Sequence, residues 1–75
     1  MKLFQAVYVI DERHWHDEQA REVGKRYVLD RLVAELVKYN NFSVKVRISE
    51  VKTPTQWQGI NDCEIRLEAQ IDEIQ

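Results

Sequence analysis

The chain has one cysteine, one proline, two glycines and two histidines in 75 residues. A single cysteine, Cys63, excludes an intrachain disulfide, and two histidines beside it fall short of the usual His/Cys set of a zinc site. Gly24 and Gly59 stand far apart, so no glycine-rich phosphate loop or dinucleotide fingerprint exists. No apolar run approaches the ~18 residues that a membrane span needs. Basic residues are not in excess: 11 Lys and Arg face 13 Asp and Glu, for a net charge of −2. That balance argues against general nucleic-acid binding. The N-terminal stretch carries Lys2 and an apolar run but no small-residue cleavage site, so it reads as a strand and not a signal peptide. A reduced, cytoplasmic setting is expected, in a bacterium or in a host cell occupied by a virus.

The longest regular element is expected between Asp17 and Asn40. Asp17 is a good N-cap, and Asp17 and Glu18 place negative charge where the helix dipole favours it. Asp17–Arg21, Glu22–Arg26 and Arg31–Glu35 are opposite charges at i,i+4. Asn40 and Asn41 tolerate the left-handed conformation that ends a helix. Gly24 is the weak point, costing about 1 kcal/mol relative to alanine. The apolar pattern has two stripes at about 100° per residue. Val28, Leu29, Leu32, Val33 and Leu36 form one, expected on the domain's own sheet. Ala20, Val23, Tyr27 and Ala34 fall nearly opposite, with Val37 at the margin. A helix covering one sheet needs one stripe. The second implies a second covering layer, which a chain this short must take from another copy, or else a bend near Gly24.

Three strands complete the pattern, at about residues 3–10, 43–51 and 63–71, around a helix at about 17–39. The first alternates Phe4, Ala6, Tyr8 and Ile10 with Leu3, Gln5, Val7 and Val9, so both faces are mostly apolar. In the second, Val44, Val46 and Ile48 oppose Lys45, Arg47 and Ser49. In the third, Cys63, Ile65, Leu67, Ala69 and Ile71 oppose Glu64, Arg66, Glu68 and Gln70. The polar segment Lys52 to Asn61 holds the proline and Gly59 and reads as a loop.

The expected architecture is one α+β domain over residues 1–75, in the order β-α-β-β. The first two strands lie parallel across a helical crossover, and the last two form an antiparallel hairpin. Arg47 opposite Glu68 sets the favourable hairpin register. A two-residue slip places Arg47 against Arg66, a like-charge pair. With the third strand inserted between the others the sheet order is 1-3-2. That arrangement is similar in topology to the first three-quarters of a ferredoxin-like fold, a truncated version without its last helix and strand. Small size and the doubled apolar faces point to a homodimer.

Candidate chemistry is sparse. His14 and His16 share a side only on an extended backbone, where Asp11, Glu12 or Asp17 could add oxygen ligands to a metal. The competing reading is a solvated loop, with Trp15 over a core edge. Cys63 resembles a nucleophile only if a histidine activates it, and its parity with Ile65 and Leu67 places it inside. No catalytic set and no cofactor is expected. Trp15 and Trp57 lie in the two longest loops, where an aromatic is either a lid on the core or an anchor for a protein partner. The leading expectation is a small acidic, non-enzymatic regulator or inhibitor that binds a protein, of the sort phages and mobile elements encode. The alternative is a dimeric enzyme or ligand binder with a pocket between sheet and helix, lined by Tyr8, Tyr27, His14 and Trp15.

Overall fold

The computed structural model describes residues 1–54 and 61–74. Strand β1 (Lys2–Asp11) leads through a 3₁₀ turn (Glu12–His14) into helix α1 (Glu18–Leu36). Strands β2 (Phe42–Pro54) and β3 (Asn61–Glu73) follow. The fold is α+β, with a three-stranded antiparallel sheet in the order β1-β3-β2. Both outer strands run antiparallel to β3, so β1 and β2 run parallel to each other without touching. Arg47 stands opposite Glu68, Lys45 opposite Gln70 and Ser49 opposite Arg66, the register that separates the basic side chains.

Local chemistry fixes the helix ends. The Asp17 carboxylate accepts from the Gln19 N–H at 2.9 Å, satisfying one orphan donor of the first turn. The helix stops at Leu36, earlier than the asparagines suggest. The N–H groups of Lys38 and Tyr39 donate to the carbonyls of Glu35 and Leu36, three residues back, which tightens the last turn.

The core lies between α1 and the β1-β3 half of the sheet. β3 is central, and its inward side chains Cys63, Ile65, Leu67, Ala69 and Ile71 are all buried. Ala6 and Ile10 of β1 and Val28 and Leu32 of α1 close the cluster. Phe4, Tyr8, Trp15 and Leu36 pack around its margin.

The helix rests on part of the stripe that periodicity favours, with Leu36 packing at the margin of the core. Val28 and Leu32 are buried, but Leu29 is 41% and Val33 59% exposed. The contact ridge is Gly24, Val28 and Leu32, spaced four apart, at the edge of the first stripe that lies nearer β1. Gly24 explains the roll. A Cβ placed there would stand 2.8 Å from Tyr8 Cδ1 and 2.9 Å from Ile65 Cγ1. Its missing side chain lets the helix settle onto the sheet at this point, and the helix continues unbroken through it. The residue read as a weak point is the place of closest approach.

Gly24→Ala is therefore expected to destabilise the protein. The propensity gain of about 1 kcal/mol is outweighed by overpacking of about 1–3 kcal/mol. A net loss of about 1 kcal/mol lowers Tm by about 4–8 °C in a domain of this size. A raised Tm would show that the ridge has room to spare. Leu32→Ala should cost about 2–5 kcal/mol, whereas Val33→Ala should stay within about 0.5 kcal/mol in the monomeric domain.

Candidate functional site

Helix width decides what is left open. A helix with its side chains is ~10–12 Å across, while strands are spaced by ~4.8 Å. One helix covers about two strands, and α1 packs on β1 and β3. β2 therefore keeps an apolar face that nothing in the sheet's own layer covers. Val46 is 44% and Ile48 37% exposed, although they share a side with buried Ala69 and Leu67. Leu29 and Val33 lie on the flank of α1 that faces β2. The Lys25 ammonium, on that same flank, meets the Glu50 carboxylate of β2 at 3.2 Å. Leu29 and Val33 of the helix and Val46 and Ile48 of β2 are therefore left exposed on this side. The sequence pattern placed Val46 and Ile48 on the inner face, and comparing helix width with strand spacing would have shown them uncovered.

The other helix flank faces β1. There Tyr27 packs its ring on Tyr8, with centroids 5.3 Å apart. Ala20 is half-buried, and Val23, Tyr27 and Ala34 are exposed. These four residues share the flank on the β1 side. Tyr8 and Tyr27 fill the space between helix and sheet at that point instead of lining a cleft. Surface depressions among the described residues include two on the outside of the fold. One runs along the outside of α1 at Val23, Lys25, Arg26 and Leu29, and the other on the open sheet face at Leu3, Gln5, Arg47 and Arg66. Neither enters the space between helix and sheet.

The open face of the sheet is mixed. Leu3, Val7 and Val9 of β1 form an exposed apolar column. Beside it, Arg66 Nη2 donates to Glu64 Oε2 at 2.8 Å, while the buried Arg66 Nε has no hydrogen-bond partner. Next to β2, Arg47 faces Glu68 across the ladder.

The turn before α1 sets the histidine geometry. The Asp11 carboxylate accepts from the Arg13 N–H at 2.9 Å and from its guanidinium at 3.0 and 3.3 Å. These bonds wind the segment into a 3₁₀ turn, so the extended backbone that would aim His14 and His16 the same way is not formed. Both histidines are exposed, and no group of three His, Cys, Asp or Glu side chains with metal-site geometry occurs among the described residues. Trp15 is half-buried against the core, and the Arg21 guanidinium stands 5.8 Å from its ring centre. Trp57 lies outside the described residues.

One polar cluster escaped sequence reasoning. Glu35, with a side chain 11% exposed, accepts from Lys2 at 2.9 Å and from Lys38 at 3.0 Å. The Tyr39 hydroxyl lies 3.5 Å from the same carboxylate, and the Lys2 ammonium lies 5.7 Å from the Tyr39 ring centre. Among the described residues Glu35 thus ties the start of β1 to the end of α1, in place of the expected pair with Arg31. Helix periodicity could show Lys38 at i+3, but the contact with Lys2 depends on tertiary folding. The lysine hydrogen bonds, Lys2 first, hold the Glu35 carboxyl below its ordinary range. The same carboxylate raises Lys2 far above the usual lysine value.

No family model, curated protein or solved structure matches the chain. No helix among the described residues is long and apolar enough to cross a membrane.

The Glu35 cluster makes a pH prediction. A carboxyl held below its ordinary pKa contributes stability that is full above the unfolded-state value of about 4.3 and is lost as pH falls through the folded value. Lys2 works in the opposite sense: its contribution is present below the unfolded lysine value and fades only as pH rises towards its raised one. Glu35→Gln should therefore melt below wild type at pH 7, with the difference closing as pH is taken well below 4. A constant difference at both pH values would show that the carboxylate's charge is immaterial.

Proposed function

We propose that the chain is a non-enzymatic protein-binding module that acts as a homodimer, in the manner of a small acidic regulator or inhibitor. The observation that supports this reading is the distribution of exposed apolar side chains. Most of those among the described residues fall into three groups, with Met1, Val37 and Ile74 apart from them: Leu3, Val7 and Val9 on the open sheet face, Val23 and Tyr27 on one helix flank, and Leu29, Val33, Val46 and Ile48 on the β2 side. Grouped apolar surface of this kind marks association sites, whereas scattered single residues do not. The chain's proportions agree. Its radius of gyration is 14.5 Å, and it extends 49 × 25 × 15 Å, against about 11 Å for a globular domain of this length. A slab one helix and one sheet thick leaves both broad faces near solvent.

The sheet order and the single helix fit the first part of a ferredoxin-like arrangement, in which a fourth strand pairs with β1 and a second helix lies beside the first. A second copy supplies both kinds of element in this reading. The protein partner then takes a surface that the dimer leaves open.

Two measurements test the proposal. Static light scattering at micromolar concentration should give twice the protomer mass, and the melting temperature should rise with protein concentration, because a dimer's stability depends on protomer concentration. A well-folded monomer with a concentration-independent Tm overturns the dimer. For binding, a stoichiometric protein recovered with wild type and lost with Val7→Lys supports the module, and a co-purifying small molecule in its place overturns it.

A further inference from the structure

The geometry points to one particular assembly: two copies pair β1 against β1 in antiparallel fashion, extending the sheet to six strands and packing the two α1 helices side by side over the seam. This rests on the homodimer reading above and names its interface.

Charge chooses the edge. Among the described residues, the order β1-β3-β2 leaves one row of backbone groups on β1 and one on β2 without a sheet partner. Edge strands are kept apart by charged residues and proline. β2 carries Lys45, Arg47, Glu50 and Lys52 and ends at Pro54. β1 has no charged residue, glycine or proline from Leu3 to Ile10. It is the edge without protection. Pairing about a two-fold axis through Ala6 sets Leu3 against Val9 of the second copy, and Phe4 against Tyr8 of the second copy. Both are apolar pairs that stabilise an antiparallel ladder.

The helices reach the same answer independently. α1 lies over β1 and β3. Its image across a β1–β1 seam lies two strand spacings away, about 9.6 Å at ~4.8 Å per strand. Packed helices stand ~8–10 Å apart. Helices at that distance meet through their flanks, and the flank on the β1 side carries Ala20, Val23, Tyr27 and Ala34. Ala20 and Ala34 lie seven residues on either side of Tyr27. An antiparallel partner helix centred at Tyr27 therefore sets Ala20 against Ala34 of the second copy, small residues where the backbones come closest. Arg31 shares the flank, and its long stem carries the guanidinium to the rim. Val23 and Ala34, exposed members of the second apolar stripe, are accounted for by this contact.

Sedimentation equilibrium of wild type, Ala34→Glu and Val33→Glu tests the assignment, with circular dichroism confirming that each variant is folded. The two positions are neighbours in sequence but lie on opposite sides of the contact ridge. Wild type should be a dimer. Ala34→Glu should raise its dissociation constant by about tenfold or more, as an unpaired charge at a packed contact does. Val33→Glu should leave it within about threefold. If Val33→Glu dissociates the dimer and Ala34→Glu does not, the copies meet on the β2 side of the helix and this inference is overturned while the dimer reading stands. If neither dissociates it, the copies meet through the open sheet face, and the inference falls in the same way. A monomeric wild type removes both. Amide hydrogen exchange of wild type gives a check that no variant's folding can obscure. The backbone amides of Leu3 to Ile10 should all be protected at high protein concentration, and alternate ones should lose protection on dilution. Alternate amides that exchange freely at every concentration overturn the edge pairing.

Discussion

The close approach at Gly24 governs the rest of the structure. Tyr8 and Ile65 occupy the space where a side chain would stand, and this sets both the height and the roll of α1 over the sheet. Once the helix beds on Gly24, Val28 and Leu32, its two apolar stripes become its two flanks. One flank leans towards β1, where Tyr27 meets Tyr8, and the other towards β2, where Lys25 meets Glu50. A larger residue at position 24 would lift the helix or roll it onto Leu29 and Val33. The uncovered surface would then be a different one. The cost of glycine within a helix is about 1 kcal/mol, and burying the ridge against Ile65 offsets it.

Period-two alternation made the sheet legible. In β3 the apolar parity runs from Cys63 to Ile71 without a break, and all five inward positions are buried because a central strand has neighbours on both sides and a helix above. The same parity in β2 predicted side but not depth. Val46 and Ile48 face inward beyond the reach of the helix. The charges at Arg47, Arg66 and Glu68 specified the register because a slip brings Arg47 against Arg66. Strand alternation is local, and so are the pairing penalties that follow from it.

The roll of α1 was not legible for a reason that is also physical. Counting apolar residues weights a helix face by what it carries, whereas a buried ridge can be defined by what it lacks. Gly24 adds nothing to an apolar stripe, yet it marks the position where the Tyr8 and Ile65 side chains fill the room a Cβ would need. The Glu35 cluster was hidden in another way: Lys2 and Glu35 are far apart in sequence, and only the docking of α1 across the start of β1 brings them within 2.9 Å. His14 and His16 illustrate the converse. Their spacing is suggestive only on an extended chain, and the Asp11 carboxylate, bonded to Arg13, winds that segment into a turn.

The apolar residues outside the core bear on stability as well as association. A domain of this length buries only ~60% of the surface that its unfolded chain exposes. Here Leu3, Val9, Val23 and Val33 are all more than half exposed, so much of the chain's apolar content contributes nothing to its own core. If those side chains served solubility they would be replaceable by the Glu, Gln and Asp that fill the exposed positions of β3. Their grouping on particular sides argues otherwise. β2 mixes its exposed apolar residues with charge, as suits a face open to water, whereas β1 carries eight uncharged residues in succession beside a helix flank of small apolar ones. The two edges of the sheet thus differ in charge: β2 carries Lys45, Arg47, Glu50 and Lys52, and β1 carries none between Leu3 and Ile10.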